Sequence, residues 1–179
     1  MQKKLLHIVD MQNDFVMPRG RLAVDGADSL VAPANEFLAS EKFDKIIATF
    51  DTHYNKSYAH SAEAKLFPAH CIYGTRGWEL AINPGRYTRV LKNQFDVWGA
   101  PRAINQAIAG FTPNNTDVYV MGVASDYCVK YAITGYLTRG YNVIVLQDLC
   151  RGIERQIDDV VAEFKNAKIK MINTNQMGR

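Results

Sequence analysis

The cysteine at position 128 stands where covalent chemistry could occur. It follows the apolar run DVYVMGV (117–123) and a short turn, and it lies near the start of a stretch with helical spacing. Backbone amides at a helix N-terminus stabilise a thiolate, and the same amides can bind a developing oxyanion. The alternative for a lone cysteine is a small buried hydrophobe. The strand-to-helix turn leaves these two interpretations evenly balanced.

Two charged residues, Asp10 and Lys92, stand at the ends of predicted strands. An aspartate beside a thiol can take its proton, and a lysine can stabilise a thiolate or an oxyanion. Taken singly, the aspartate is better explained as a cap of the following turn, and the lysine as a solvated cation. The segment DMQND lacks the second aspartate, two positions on, of haloacid-type phosphatases, which disfavours an aspartyl-phosphate mechanism.

Three of the four histidines lie in one segment, DTHYNKSYAHSAEAKLFPAHCIYGT (51–75). Asp51 and His53 are two residues apart, so both side chains can point the same way from an extended strand end. His60, Glu63 and His70 follow in the same long loop. Mixed imidazole and carboxylate ligands suit zinc, manganese or iron(II), and polar loop histidines are the equally weighted alternative.

The elements that must position these groups alternate between strand-like and helix-like segments. Apolar runs predict strands at 4–10, 45–51, 86–93, 117–123, 141–148 and 168–174, and helical spacing predicts helices at 29–40, 101–110, 126–139 and 153–167. This alternation predicts a three-layer, doubly wound α/β fold of about six mainly parallel strands with helices on both faces, as in Rossmann-like proteins. Sites in such sheets form outside the carboxyl ends of the strands. We therefore expect the reactive groups at four strand ends to lie along one edge of the sheet: Asp10, Asp51, Lys92 and the turn that carries Cys128.

The composition narrows the class of protein further. The chain has 179 residues, of which 47% are hydrophobic, and a formal net charge of +3, so we expect one domain over 1–179 and no nucleic-acid partner. The N-terminal apolar stretch is short and interrupted by His7 and Asp10, so we expect a cytoplasmic protein without a signal peptide or a membrane partner. Cys71, Cys128 and Cys150 are odd in number and widely spaced, which predicts reduced thiols.

Five segments resemble the isochorismatase-like cysteine hydrolases, and among these most closely the nicotinamidases. They are IVDMQNDF (8–15), ATFDTH (48–53), KLFPAHCIYGT (65–75), VLKNQF (90–95) and GVASDYCV (122–129). Each segment is modest alone, but their order matches the family and together they span nearly the whole chain. The resemblance implies the doubly wound fold and the hydrolysis of nicotinamide to nicotinate and ammonia, a step of NAD salvage and pyridine nucleotide biosynthesis.

The resemblance also implies a role for each reactive residue. Asp10, Lys92 and Cys128 would form a catalytic triad, in which the aspartate takes the thiol proton, the lysine stabilises the charged sulfur and the cysteine attacks an amide carbonyl. Ala124 and Cys128 would supply the backbone amides of the oxyanion hole. The family commonly has a non-proline cis peptide at the position that corresponds here to Val123–Ala124.

One divalent metal ion is implied as the cofactor, with zinc as the first choice and manganese or iron(II) as alternatives. In nicotinamidases it binds the pyridine nitrogen of the substrate. The resemblance assigns Asp51, His53 and His70 as ligands. The fourth ligand varies within the family, and we favour Glu63 over His60 because the spacing in EAKLFPAH resembles the glutamate variant.

The resemblance also implies which residues contact the substrate. Phe15 and Phe67 match positions that sandwich the pyridine ring, and Val123 and Trp98 are further expected contacts. Many nicotinamidases carry a Ser-Ala-Phe segment where this chain has NQFDVWGAP (93–101), so Asp96 and Trp98 are expected to alter which amide fits.

Three alternative functions remain. Another isochorismatase-like cysteine hydrolase would act on an N-carbamoyl compound or a different small amide. A non-enzymatic binding protein could use the same scaffold, and a true isochorismatase would not use the cysteine as a nucleophile. The small amide is the expected partner, and a homo-oligomer is compatible with the family.

Overall fold

The computed structural model describes residues 2–61, 63–165 and 168–177. Six strands form one sheet: β1 (Lys3–Val9), β2 (Lys45–Asp51), β3 (Thr88–Lys92), β4 (Thr116–Val123), β5 (Asn142–Arg151) and β6 (Ile169–Ile172). Their spatial order is β3-β2-β1-β4-β5-β6, and all five pairings are parallel. The predicted α/β fold class is confirmed, and the sheet is entirely rather than mainly parallel.

The α-helices are α1 (Asn13–Val16), α2 (Val31–Ser40), α3 (Asn55–Tyr58), α4 (Pro101–Ala107), α5 (Lys130–Thr138) and α6 (Ile157–Ala162). The short helices α1 and α3 were not predicted, α4 ends three residues before the predicted end, and the last two predicted helices differ further. The helix expected over 126–139 begins with a π-helical turn, Ser125–Val129, and only then becomes α-helical. The helix expected over 153–167 covers only 157–162, and 166–167 lie outside the described residues. Within the described part of the chain, no helix is long and apolar enough to cross a membrane.

Side chains on the two faces of the sheet form two hydrophobic layers. Along β1, Leu5 and Val9 pack on the face covered by α4, α5 and α6, whereas Leu6 and Ile8 pack on the face covered by α1 and α2. This alternation is the two-residue period of a strand that is buried on both sides. The helices therefore lie on both faces of the sheet, as the alternation of elements predicted.

The strand order places a cleft at the carboxyl ends of β1 and β4. These two strands are neighbours, and the chain continues from them to opposite sides of the sheet, which defines a topological switch point. Gly122 in β4 has a φ of 130°, and a Cβ there would lie 2.0 Å from the Val9 carbonyl oxygen. Only glycine allows the backbones to approach this closely. Asp10 and the turn that carries Cys128 therefore leave the sheet side by side.

Candidate active site

The three residues expected to form a triad meet at this switch point. Asp10 follows β1, Lys92 ends β3, and Cys128 lies in the π-helical turn after β4. The Lys92 Nζ atom is 2.7 Å from Asp10 Oδ2 and donates a hydrogen bond to Cys128 Sγ at 3.5 Å. All three side chains are buried. One ammonium group therefore bridges a carboxylate and a thiol in a site with little access to water.

The charges of this cluster depend on one another. Burial alone would lower the pKa of Lys92, but Asp10, Cys128 and Asp51 raise it well above its usual range. Burial raises the pKa of the Cys128 thiol; Lys92 opposes this shift, whereas Asp10 and Asp51 add to it. The net shift of the thiol pKa is well upward. A nucleophilic role would require a base, and the adjacent Asp10 carboxylate is suited to it.

The turn around the cysteine has an unusual backbone. The peptide bond between Val123 and Ala124 is cis, which confirms the prediction. The Ala124 carbonyl accepts hydrogen bonds from the N–H groups of Tyr127 and Val129, both at 3.1 Å. Ala124 and Cys128 also line one cavity together. The two residues proposed for the oxyanion hole thus lie together, and their role stays a prediction.

Two residues at the site have a positive φ without being glycine. Asp10 has a φ of 48° and Cys71, which follows His70 in the chain, has a φ of 46°. Such conformations are sparsely populated and cluster at functional sites, where the surrounding contacts hold them. The Cys71 N–H donates to Asp14 Oδ2 at 2.7 Å, and the Asp10 N–H donates to Thr49 Oγ1 at 3.2 Å.

A second cluster lies beside the first. Asp51, His53, Glu63 and His70 each offer one ligand atom, and these atoms lie within 4.8 Å of one another. The Nε2 atoms of His53 and His70 lie 3.0 and 3.1 Å from the same oxygen, Asp51 Oδ2. The two clusters are adjacent, because Lys92 Nζ is also 3.9 Å from Asp51 Oδ1.

The donor set fits a divalent metal ion. Two imidazoles and two carboxylates are ligands that zinc, manganese and iron(II) accept. Asp51 Oδ1 and Glu63 Oε1 are buried without a hydrogen-bond partner, as expected for oxygens that ligate a cation. Burial would raise the pKa of Asp51, but Lys92 and the two histidines hold it well below its usual range, so this carboxylate is ionised.

The surrounding contacts orient the ligands. His70 Nδ1 lies 2.8 Å from the Pro68 carbonyl oxygen, which can only accept, so Nδ1 donates and Nε2 is left to face the cluster. Gln12 clamps the strand end that carries Asp51. Its amide donates to the Asp51 carbonyl at 2.9 Å, and its Oε1 accepts from the Asp51 N–H at 2.8 Å.

Of the two candidates for the fourth ligand, the structure brings only Glu63 into the cluster. Glu63 Oε2 is 3.6 Å from His53 Nε2. His60 follows the short helix α3 and is exposed. The alternative His60 assignment is therefore not supported by the geometry.

A mostly apolar cavity joins the two clusters. Its lining includes Phe15, Phe67 and Val123, as expected for the substrate contacts, together with Asp51, His70, Ala124 and Cys128. The ring centroids of Phe15 and His70 are 5.4 Å apart. An aromatic side chain therefore lies directly beside the candidate metal ligands.

Trp98, which was expected as a substrate contact, is not among the residues that line this cavity. Its ring packs edge to face against Tyr136 at 5.0 Å, and its Nε1–H donates to the Ala132 carbonyl at 3.4 Å. Sequence analysis missed Phe95, Tyr127 and Ile153, which do line the cavity. Two of these have a sequence signal, because they lie within the segments VLKNQF and GVASDYCV. Ile153 has none.

Comparison with known proteins completes the description of the site. The family model described as the isochorismatase domain matches residues 4–176. The curated nicotinamidase of Acinetobacter baylyi is 29% identical over 83% of this chain and 81% of that protein. The curated nicotinamidase of Saccharomyces cerevisiae is 28% identical over 95% of this chain and 99% of that protein. The crystal structure of the Pyrococcus horikoshii pyrazinamidase in complex with zinc superposes with a TM-score of 0.78 at 28% identity, covering 96% of this chain and 99% of that one.

Proposed function

The chain belongs to the isochorismatase family and is an amidohydrolase acting on a carboxamide, and from this premise we propose that it hydrolyses nicotinamide to nicotinate and ammonia. One observation carries the proposal: the Lys92 ammonium contacts both Asp10 and Cys128, within 4 Å of the cluster of candidate metal ligands. The proposed nucleophile and two of the candidate metal ligands, Asp51 and His70, line one cavity. Its aromatic lining suits a flat ring.

The proposed reaction begins with the transfer of the Cys128 thiol proton to Asp10. The sulfur attacks the carboxamide carbon, and the oxygen becomes negative and is held by the backbone amides of Ala124 and Cys128. Lys92 stabilises the negative charge on sulfur and oxygen. Asp10 then returns the proton to the nitrogen, the C–N bond breaks, and ammonia leaves a thioester. A water molecule, deprotonated by Asp10, attacks the thioester and releases nicotinate and the thiol.

The second cluster positions the substrate in this proposal. Asp51, His53, Glu63 and His70 would hold a divalent ion, and zinc is the first choice given the zinc complex of the pyrazinamidase relative. When bound, such an ion supplies a coordination position for a ring nitrogen. Phe15 and Phe67 would then hold the two faces of the ring, which aims the carboxamide at Cys128.

Ammonia release from nicotinamide tests the reaction, with Cys128→Ala as the variant and Cys150→Ala as its matched control. Both cysteines are buried, and burial raises the pKa of Cys150 to about 12, but Cys150 does not line the cavity. We expect Cys128→Ala to lose activity and Cys150→Ala to keep it. Adding hydroxylamine tests the thioester, because a thioester is intercepted as a hydroxamate. Loss of ammonia release in both variants, or in neither, would contradict the assigned nucleophile.

Removal of the metal ion is the second test. Chelation is expected to abolish turnover of nicotinamide, and added zinc to restore it, with manganese and iron(II) compared in parallel. Turnover that survives complete metal removal would count against the positioning role of the ion. It would favour the runner-up, a family member acting on an N-carbamoyl compound or another small amide.

Several expectations stay predictions from the sequence. They are a role in NAD salvage, a cytoplasmic location, a single domain over the whole chain, the absence of nucleic-acid and membrane partners, and assembly into a homo-oligomer.

A further inference from the structure

Asp126, a carboxylate next to the proposed nucleophile, has no role in the proposed mechanism but holds a loop by hydrogen bonds. Asp126 lies two residues before Cys128, and its Oδ1 accepts a hydrogen bond from the Ile153 N–H at 3.0 Å. Its Oδ2 accepts from the N–H groups of Glu154 at 2.8 Å and Arg155 at 3.2 Å. Three consecutive backbone amides thus surround one carboxylate. Such concave nests of N–H groups bind anions.

The rest of the loop is shaped to keep this arrangement. A Cβ at Gly152 would lie 1.8 Å from the Arg155 carbonyl oxygen, so only glycine permits the tight turn. The Arg155 guanidinium forms an ion pair with Glu163, which also pairs with Lys130 at 2.6 Å. The loop 152–155 therefore lies beside α5, the helix that continues the nucleophile's turn, as well as being held by Asp126.

The held loop forms part of the substrate cavity. Ile153 lines the cavity although it is 52% exposed, so it stands at the mouth rather than in the core. Tyr127, between Asp126 and Cys128 in the chain, lines the same cavity and packs on Phe95 with ring centroids 5.4 Å apart. The turn that supplies the sulfur and the loop that supplies the outer wall thus meet at Asp126.

We propose that Asp126 is a positioning residue that fixes the loop 152–155 against the nucleophile's turn, and that Ile153 on this loop limits the size of the carboxamide ring admitted. This inference rests on the proposed function for its substrate. The carboxylate acts through the loop and does not itself touch the ring. Removing the Asp126 carboxylate weakens binding of the substrate ring and leaves the rate of the reaction at the Cys128 sulfur largely unchanged.

Asp126→Ala is the central variant, and Asp148→Ala is its matched control. Asp148 is also a carboxylate that accepts three hydrogen bonds from a distant segment, in this case from the Thr174 N–H at 2.9 and 3.1 Å and the Thr174 hydroxyl at 2.6 Å. It does not line the cavity. Asp126→Asn keeps one acceptor oxygen and is expected to be intermediate. Ile153→Ala changes the wall alone, at a half-exposed position where the fold is little affected.

Hydrogen exchange provides a measurement that does not need a substrate. Asp126→Ala should accelerate exchange of the amides of Ile153, Glu154 and Arg155 by about tenfold or more, because each loses a hydrogen bond to a charged acceptor. Asp148→Ala should leave these amides unchanged. Unchanged exchange in Asp126→Ala would overturn the proposed hold on the loop, whether or not nicotinamide is a substrate.

Kinetics provides the functional measurement. Asp126→Ala should raise the KM for nicotinamide by about tenfold while kcat changes by less than about threefold. Ile153→Ala should improve kcat/KM for a ring-methylated nicotinamide relative to nicotinamide, and the double variant should show no further change in this ratio. Additive effects, or a fall in kcat alone, would overturn the inference. Absence of nicotinamide turnover in the unaltered enzyme would instead refute the proposed function, while the exchange measurement still judges the loop.

Discussion

Replacing Lys92 with methionine tests the central ion pair, because methionine keeps much of the side-chain volume and removes the charge. In the structure the ammonium lies 2.7 Å from Asp10 Oδ2, and Asp10 is fully buried. At an effective dielectric constant near 20, two unit charges at this distance attract by about 6 kcal/mol. The desolvation of both groups offsets much of this attraction. The substitution removes the attraction and leaves the carboxylate buried without its partner.

The expected loss of stability is therefore large. Breaking a buried ion pair by removing one partner costs about 3–5 kcal/mol, against a total stability of about 5–15 kcal/mol for a domain. With a urea m-value near 2 kcal/mol/M, the unfolding midpoint should fall by about 2 M. Removing Asp10's charge as well, in Asp10→Asn/Lys92→Met, should recover most of the stability, because no unpaired carboxylate is then left at that position.

Activity should not recover with stability. The single and double variants both lack the proposed cation, and loss of such electrostatic or acid–base groups costs about 10²–10⁴-fold in rate. Urea unfolding and ammonia release measured on the same zinc-loaded samples separate the two effects. Lys130→Met is the control, because its ion pair with Glu163 is 35% and 41% exposed at the two side chains and should contribute little to stability. A Lys92→Met protein as stable as the unaltered one, or a double variant no more stable than the single, would refute this reasoning.

Three further predictions address other parts of the molecule. Burial and the nearby Lys92 lower the pKa of His7 from 6.5 to about 3. Between these two pH values only the unfolded chain binds the proton, so the folded state loses stability as the pH falls from 6.5 towards 3. His7→Leu should therefore remove about 2 kcal/mol of the stability difference between pH 6.5 and pH 5, measured by urea unfolding at each pH; a variant with the same pH dependence would contradict this assignment. Gly122→Ala should cost about 4 kcal/mol or more, because its Cβ would lie 2.0 Å from a β1 carbonyl oxygen, whereas Gly110→Ala, with no atom within 4 Å, should cost about 1 kcal/mol in the same assay. Glu63→Gln should weaken zinc binding by about tenfold or more in calorimetric titration, and His60→Gln should not; the reverse result would make His60 the ligand.

The architecture and the candidate triad were predictable from the sequence for one physical reason. Strands that are buried on both faces carry continuous apolar runs, and the alternation with helices requires them to be parallel. Parallel strands bring their carboxyl ends to one edge. Polar residues at those ends, such as Asp10, Asp51 and Lys92, are therefore expected together before any contact is known. The structure brings them together at the edge where this argument expects them.

The sequence by itself thus determined which elements form and which reactive groups share an edge, whereas the direction of each loop side chain was decided only by the tertiary structure. The sequence favoured Glu63 over His60 only through the spacing of the family resemblance, because the segment between β2 and β3 contains only short helical turns and has no fixed period from which side-chain directions follow. The Trp98 ring packs against Tyr136. Ile153 lines the cavity, and its N–H donates to the Asp126 carboxylate, 27 residues earlier in the chain. The upward shift of the Cys128 pKa likewise depends on burial and neighbouring charges, which exist only after the chain has folded.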